Sequence, residues 1–184
     1  MKTQAIFICS ILFIISCHKE PVEIFEPGLQ TYGFMTATKH AGKSKASWKA
    51  GGGALYDKNY PGLFGIYGTT VGDYGQLREE LSILQIPLKP AKGVYQIEEG
   101  KHQNNSLPIG SYARVISDGD VLGAYYDIKK NSNSWIEVLS IDSSTNIVKG
   151  RFEVYFEVSE DHKVSGFPEE VHFKDGYFEV EIWK

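Results

Sequence analysis

The sequence predicts an all-β protein with one folded domain, either a single antiparallel β-sandwich or a flattened up-and-down barrel. Three observations predict it. Residues 148–158 alternate strictly: Val148, Gly150, Phe152, Val154, Phe156 and Val158 against Lys149, Arg151, Glu153, Tyr155 and Glu157. That period of two gives a pleated strand one apolar and one wet face. Turn-forming clusters recur from Thr31 onward at intervals of about eight to twelve residues, the spacing of sandwiches and barrels. Eleven Tyr, ten Phe and three Trp, with few helical patterns, complete a composition that favours sheet.

The first element is not part of that domain. Lys2 precedes an apolar run from Ala5 to Ile15, followed by Ser16, Cys17 and the polar His18, Lys19 and Glu20. A bilayer core of about 30 Å needs about 20 apolar residues to be crossed, so this shorter run reads as a signal peptide over residues 1–16. The tetrad Ile14-Ile15-Ser16-Cys17 resembles the bacterial lipobox. The resemblance implies thioether transfer of diacylglycerol to Cys17, cleavage before it, and acylation of the new amine.

Cleavage leaves 184 − 16 = 168 residues and removes Cys9, so Cys17, consumed by lipid, is the one cysteine left and no disulfide is available. Loss of Lys2 changes 19 basic against 23 acidic side chains to 18 against 23, a net charge of −5. Such a chain attracts neither nucleic acid nor anionic lipid. Membrane affinity comes instead from the lipid on Cys17, at about 0.8 kcal/mol per buried methylene.

Residues 17–30, with Pro21, Pro27, Gly28 and three Glu, have no sustained period and read as a lipidated tether. By resemblance to known lipoproteins, the absence of Asp at position 18 implies the outer membrane. Lys19 and Glu20 resemble the export signals of Bacteroidota-type surface lipoproteins. Whether the domain faces the periplasm or the cell surface stays open.

Over residues 31–184 the expected strands are Tyr32 to Ala37, Ser44 to Ala50, Ala54 to Asp57, Leu63 to Val71, Leu77 to Ile86 and Gly93 to Ile97. They continue with Ser111 to Ser117, Val121 to Ile128, Trp135 to Ile141 and the long strand to Val158. Gly51 to Gly53 is expected to be a turn, and Glu99 to Gly110 an exposed loop. Leu77, Leu81 and Leu84 also fit a helical face, but the apolar run continues to Pro87 without a helix cap, which favours strand. Asp175-Gly176 is a preferred two-residue hairpin dipeptide. Pairing outward from it sets Phe173 opposite Phe178, and His172 opposite Glu179.

The search for catalytic constellations is negative: no Gly-x-Ser-x-Gly elbow, phosphate-cradling loop, paired Cys or His-Glu-x-x-His occurs. The expectation is therefore no catalytic residue, no cofactor and no metal, hence no enzyme. The five His, at 18, 40, 102, 162 and 172, lie singly and read as surface imidazoles. His172 would have its pKa raised slightly by Glu179. Glu79-Glu80, Glu98-Glu99 and Glu169-Glu170 read as solvated strand positions, since adjacent strand residues point to opposite faces. Asp118-Gly119-Asp120 has the makings of half a calcium loop but reads better as a turn. The Asn104-Asn105-Ser106 sequon has no meaning in a bacterial lipoprotein. Tyr125, Tyr126, Trp135, Tyr56, Tyr60 and Tyr67 offer flat apolar faces that suit sugars or peptides, with core packing as the commoner use. Gly65, Gly68 and Gly123 mark bulges or close backbone approach.

The run Ile141-Asp142, Asn146-Ile147, Gly150, Phe152 and Val154, then Val171 to Phe173, Asp175-Gly176, Phe178 and Val180, together with the lipobox, resembles small Bacteroidota-type lipoproteins of unknown function. The resemblance implies a lipobox followed by one β domain and brings no catalytic residues. The expected function is a lipid-anchored, non-enzymatic binding or structural module of the cell envelope, its protein or glycan partner open. The alternatives are a lipocalin-like carrier of a small apolar ligand and a glycan-binding or glycan-active surface protein.

Overall fold

Alternating sequence dictates extended chain, and among the described residues eleven strands join one sheet. The computed structural model describes residues 32–57, 61–89, 92–99, 107–116, 119–162 and 164–183. The expected signal peptide, Cys17 and the expected tether lie outside the described residues. So do His18, Tyr60, His102, the Asn104-Asn105-Ser106 triplet and Asp118.

The strands are β1 (Gly33–Ala41), β2 (Ser44–Tyr56), β3 (Leu63–Val71), β4 (Leu77–Pro87), β5 (Gly93–Gln96) and β6 (Glu98–Glu99). They continue with β7 (Ile109–Ile116), β8 (Val121–Ile128), β9 (Trp135–Asp142), β10 (Ile147–Val158) and β11 (Glu170–Trp183). Among the described residues one 3-10 turn is present, at Glu160–His162. Neighbours run β1-β2-β3-β4-β7-β8-β10-β11, all antiparallel, and β11 returns to pair with β1. Eight strands thus close a ring, the barrel of the two architectures open to the sequence. The segment from Leu77 is a strand, as its continuous apolar run predicts.

Strand β10 forks. Its first half pairs with β9, which pairs with β5 outside the ring, while Phe156 to Val158 pair with β8. At the fork the Tyr155 N–H has no strand partner to complete its ladder, and it donates instead to the fully buried Ser134 Oγ at 3.0 Å. Buried polar groups need such partners, and the side chain supplies one where the wall divides.

The alternation predicted for residues 148–158 is observed: Val148, Gly150, Phe152, Val154 and Phe156 are buried. The expected hairpin at Asp175-Gly176 is not. Residues 170–183 form one strand, and Asp175 is an extra residue at φ 53°, opposed by both neighbours with a register shift. A bulge reverses the inward phase: Val171 and Phe173 point inward before it, Phe178, Val180 and Ile182 after it. The dipeptide that suits a tight turn suits this bulge for the same reason, tolerance of positive φ.

Gly51 to Gly53 likewise lie inside a strand rather than a turn. A Cβ on Gly52 would come within 2.8 Å of Val180 Cγ1, and one on Gly53 within 2.3 Å of the Tyr67 hydroxyl. They permit close approach where β2 leaves β1 for β3 and the end of β11. The expected loop from Glu99 also departs from expectation, since Glu98–Glu99 pair in parallel with Ile109 and Gly110. Gly65, Gly68 and Gly123 do mark close approach, with Cβ positions within 2.6–2.7 Å of Leu84, Met35 and Phe167.

An eight-stranded barrel has an interior just wide enough for side chains. Here Tyr112 lies 5.3 Å from Tyr126, 5.8 Å from Phe156 and 5.1 Å from Phe173 between ring centroids, and Trp48 meets Phe173 edge-on at 4.9 Å. Rings fill the middle of the barrel.

Candidate functional site

Along β1 the inward positions read Met35, Ala37, Lys39 and Ala41; along β4 they read Leu77, Glu79, Leu81 and Ile83. Each strand therefore puts one charge on its apolar face. The register brings the two together at the end of the barrel holding the β1–β2 turn. The Lys39 ammonium bonds Glu79 Oε1 and donates to the Tyr112 hydroxyl at 2.8 Å. Trp48 Nε1 donates to Glu79 Oε2 at 2.8 Å, and Arg114 Nε stands 3.7 Å from Glu79 Oε1. The side chains of Lys39 and Glu79 are each only 13% exposed.

Burial dominates the electrostatics. It pushes the Lys39 ammonium below its ordinary pKa, with Arg114 adding in the same direction and Glu79 opposing. It raises the Tyr112 phenol far above its ordinary value, helped by the neighbouring Glu79 charge. Taking two charges out of water is expensive, and only a well-bonded pair offsets it. Glu79 meets that condition with three donors or cations around it.

Above this floor lies an open cup of about 470 Å³, walled by Ala41, Ser44, Ala46, Thr70 and Pro168. Its charged floor is Lys39 and Arg114 against Glu79, whereas Lys49, between the buried Trp48 and Ala50, belongs to the outer face of β2. The rim is fixed by two contacts: the Arg114 guanidinium lies 5.0 Å from the Phe167 ring centroid, and the Tyr126 hydroxyl donates to Pro168 O at 2.9 Å. Small side chains leave room, and the floor offers charge and hydrogen bonding at the bottom of that room.

The sequence reading had Glu79 solvated with Glu80; instead Glu79 turns inward, while Glu80 points away and accepts from Ser82 Oγ at 3.2 Å. Glu99 faces Lys130 at 3.8 Å, and Glu170 faces Lys129 at 2.7 Å. His172 is not opposite Glu179. It pairs with His40 on β1 and Tyr155 on β10, with ring centroids 5.6 and 3.8 Å away, and its Nε2 lies 2.9 Å from Glu153 Oε1. Burial lowers its pKa against the pull of Glu153, the reverse of the expected direction. The His162 ring meets that of Tyr125 at a tilt of 56°, with centroids 5.7 Å apart. Tyr126 is core, as the commoner reading of the aromatics has it, while Tyr67 covers Gly53 on the outer face.

Lys39, Trp48, Tyr112 and Arg114 were not singled out by the sequence. One signal was available: a Lys and a Glu standing in the apolar phase of their strands. Among the described residues, no group of three or more His, Cys, Asp or Glu side chains is placed to hold a metal ion. No protein-family model, curated protein or solved structure matches the chain.

Proposed function

We propose that the protein is a lipid-anchored, non-enzymatic binding module of the outer envelope whose ligand enters the barrel mouth. The observation that carries this reading is the charged floor beneath the open cup. An all-apolar plug would close an eight-stranded barrel at less cost, so the five polar side chains converging there are better accounted for by a ligand than by stability. The amine of Lys39 is tied to Glu79 and Tyr112, an arrangement that suits recognition rather than nucleophilic attack. A closed barrel also favours the carrier form of this reading. With rings filling the middle, the cargo sits in the mouth and is small.

Two measurements test the proposal. Labelled palmitate enters the wild-type chain and not Cys17→Ala; equal labelling of both removes the anchor. Native mass spectrometry of protein extracted mildly from its own membrane finds a stoichiometric small adduct on the wild type that is lost in Ala46→Phe, which fills the cup. An adduct that survives in Ala46→Phe, or none on either, removes the mouth as the site.

A further inference from the structure

We infer that the mouth recognises an oxyanion, the carboxylate or phosphate of a small organic acid. The inference rests on the mouth being the ligand site and adds the chemical class. The chain carries a formal net charge of −4, yet the charged side chains at the floor of the cup are two cations, Lys39 and Arg114, and one anion, Glu79. A local positive field within an acidic molecule selects anions and steers them inward.

The geometry divides the charges into two kinds. Glu79 is committed, with Oε1 bonded by Lys39 and Oε2 by Trp48. Arg114 is held in place differently. Its guanidinium rests on the Phe167 ring, while its Nε stays 3.7 Å from Glu79, at ion-pair rather than hydrogen-bond distance. A guanidinium offers five donors in a planar fork that matches carboxylate and phosphate oxygens two at a time. Stacking on Phe167 orders that fork before a ligand arrives, which reduces the entropy lost on binding. The apolar body of the acid then packs against Ala41, Ala46 and Pro168.

The test uses the full lipidated chain in a neutral detergent, with tryptophan labelled by nitrogen-15. The Trp48 indole N–H, assigned with Trp48→Phe, reports on the floor, and the Trp135 and Trp183 signals report on the rest of the fold. Benzoate, phenyl phosphate and the neutral isostere benzamide are titrated in turn. The expected result is that both anions, or one of them, shift Trp48 at least about tenfold more tightly than benzamide, a difference of about 1.4 kcal/mol. A shift with benzoate alone identifies a carboxylate site, and with phenyl phosphate alone a phosphate site. Arg114→Gln abolishes the preference while Trp135 and Trp183 keep their positions.

If benzamide binds as tightly as benzoate, or Arg114→Gln retains the preference, the oxyanion inference falls while the mouth remains a ligand site. If no probe moves Trp48, or the anions move only Trp135 or Trp183, the oxyanion inference falls, and the adduct measurement with Ala46→Phe decides the mouth separately. Should Arg114→Gln unfold, salt replaces it. Raising ionic strength to about 1 M, where screening acts over about 3 Å, must weaken the anions and spare benzamide. Equal affinities at low and high salt overturn the proposal.

Discussion

Glu79 is the residue on which the mouth turns, because it is the shared partner of Lys39, Trp48 and Arg114. Glu79→Gln keeps the shape and removes the charge, leaving the Lys39 ammonium largely buried without its counter-ion. We expect a loss of about 3 kcal/mol in stability, read as a lower urea midpoint. The double variant Lys39→Met, Glu79→Leu removes both charges together and should lose less than Glu79→Gln, about 1–2 kcal/mol, because the cost left is that of the Trp48 N–H and the Tyr112 hydroxyl without their partners. That contrast separates a floor kept for binding from one kept for stability.

His172 sets a second residue-scale expectation. Its folded pKa is lowered by burial, with Glu153 opposing the shift and His40 and Lys174 adding to it. The unfolded imidazole titrates near 6.5, so below that value the unfolded chain holds the extra proton first. The stability that His172 contributes is complete above about pH 6.5 and is lost as the pH falls through its folded value. Urea midpoints should drop between about pH 7.5 and 5.5, and less so in His172→Gln. Neither Glu79 nor His172 was placed correctly by reading the sequence. Glu79 was legible in principle from its phase between Leu77 and Leu81, whereas the neighbours of His172 depend on which strands lie beside β11.

Bulges and forks carry the corresponding expectations for elements. Asp175 sits at φ 53° and resets the inward phase of β11. Asp175→Gly should leave stability within about 0.5 kcal/mol, and Asp175→Val should lower it by about 1–2 kcal/mol, because a β-branched residue resists the left-handed region. Were Asp175 the corner of a hairpin, deleting it would shorten a turn. In a bulge, deletion turns Val171 and Phe173 outward, and the chain should fail to fold cooperatively. At the fork of β10, Ser134→Ala leaves the Tyr155 N–H without its acceptor and should lower stability by about 1–3 kcal/mol, measured by the same denaturation. Most strands were legible because alternation is local. The Gly51 to Gly53 segment was not, since a glycine that allows close approach and a glycine that allows a turn look alike in sequence.

At the scale of the molecule, the sequence by itself determined the all-β strand content and carries the lipobox pattern from which anchoring at Cys17 is proposed. These follow from composition, period and short-range spacing, which act between residues near in the chain. Only the tertiary structure decided that the sheet closes, that Asp175 makes a bulge, and that Lys39, Trp48, Glu79, Tyr112 and Arg114 meet at one end. The physical reason is separation. Closure pairs β1 with β11 across nearly the whole domain, and the mouth draws its side chains from four strands. No local pattern records such register, which is fixed by how the inward faces pack against one another.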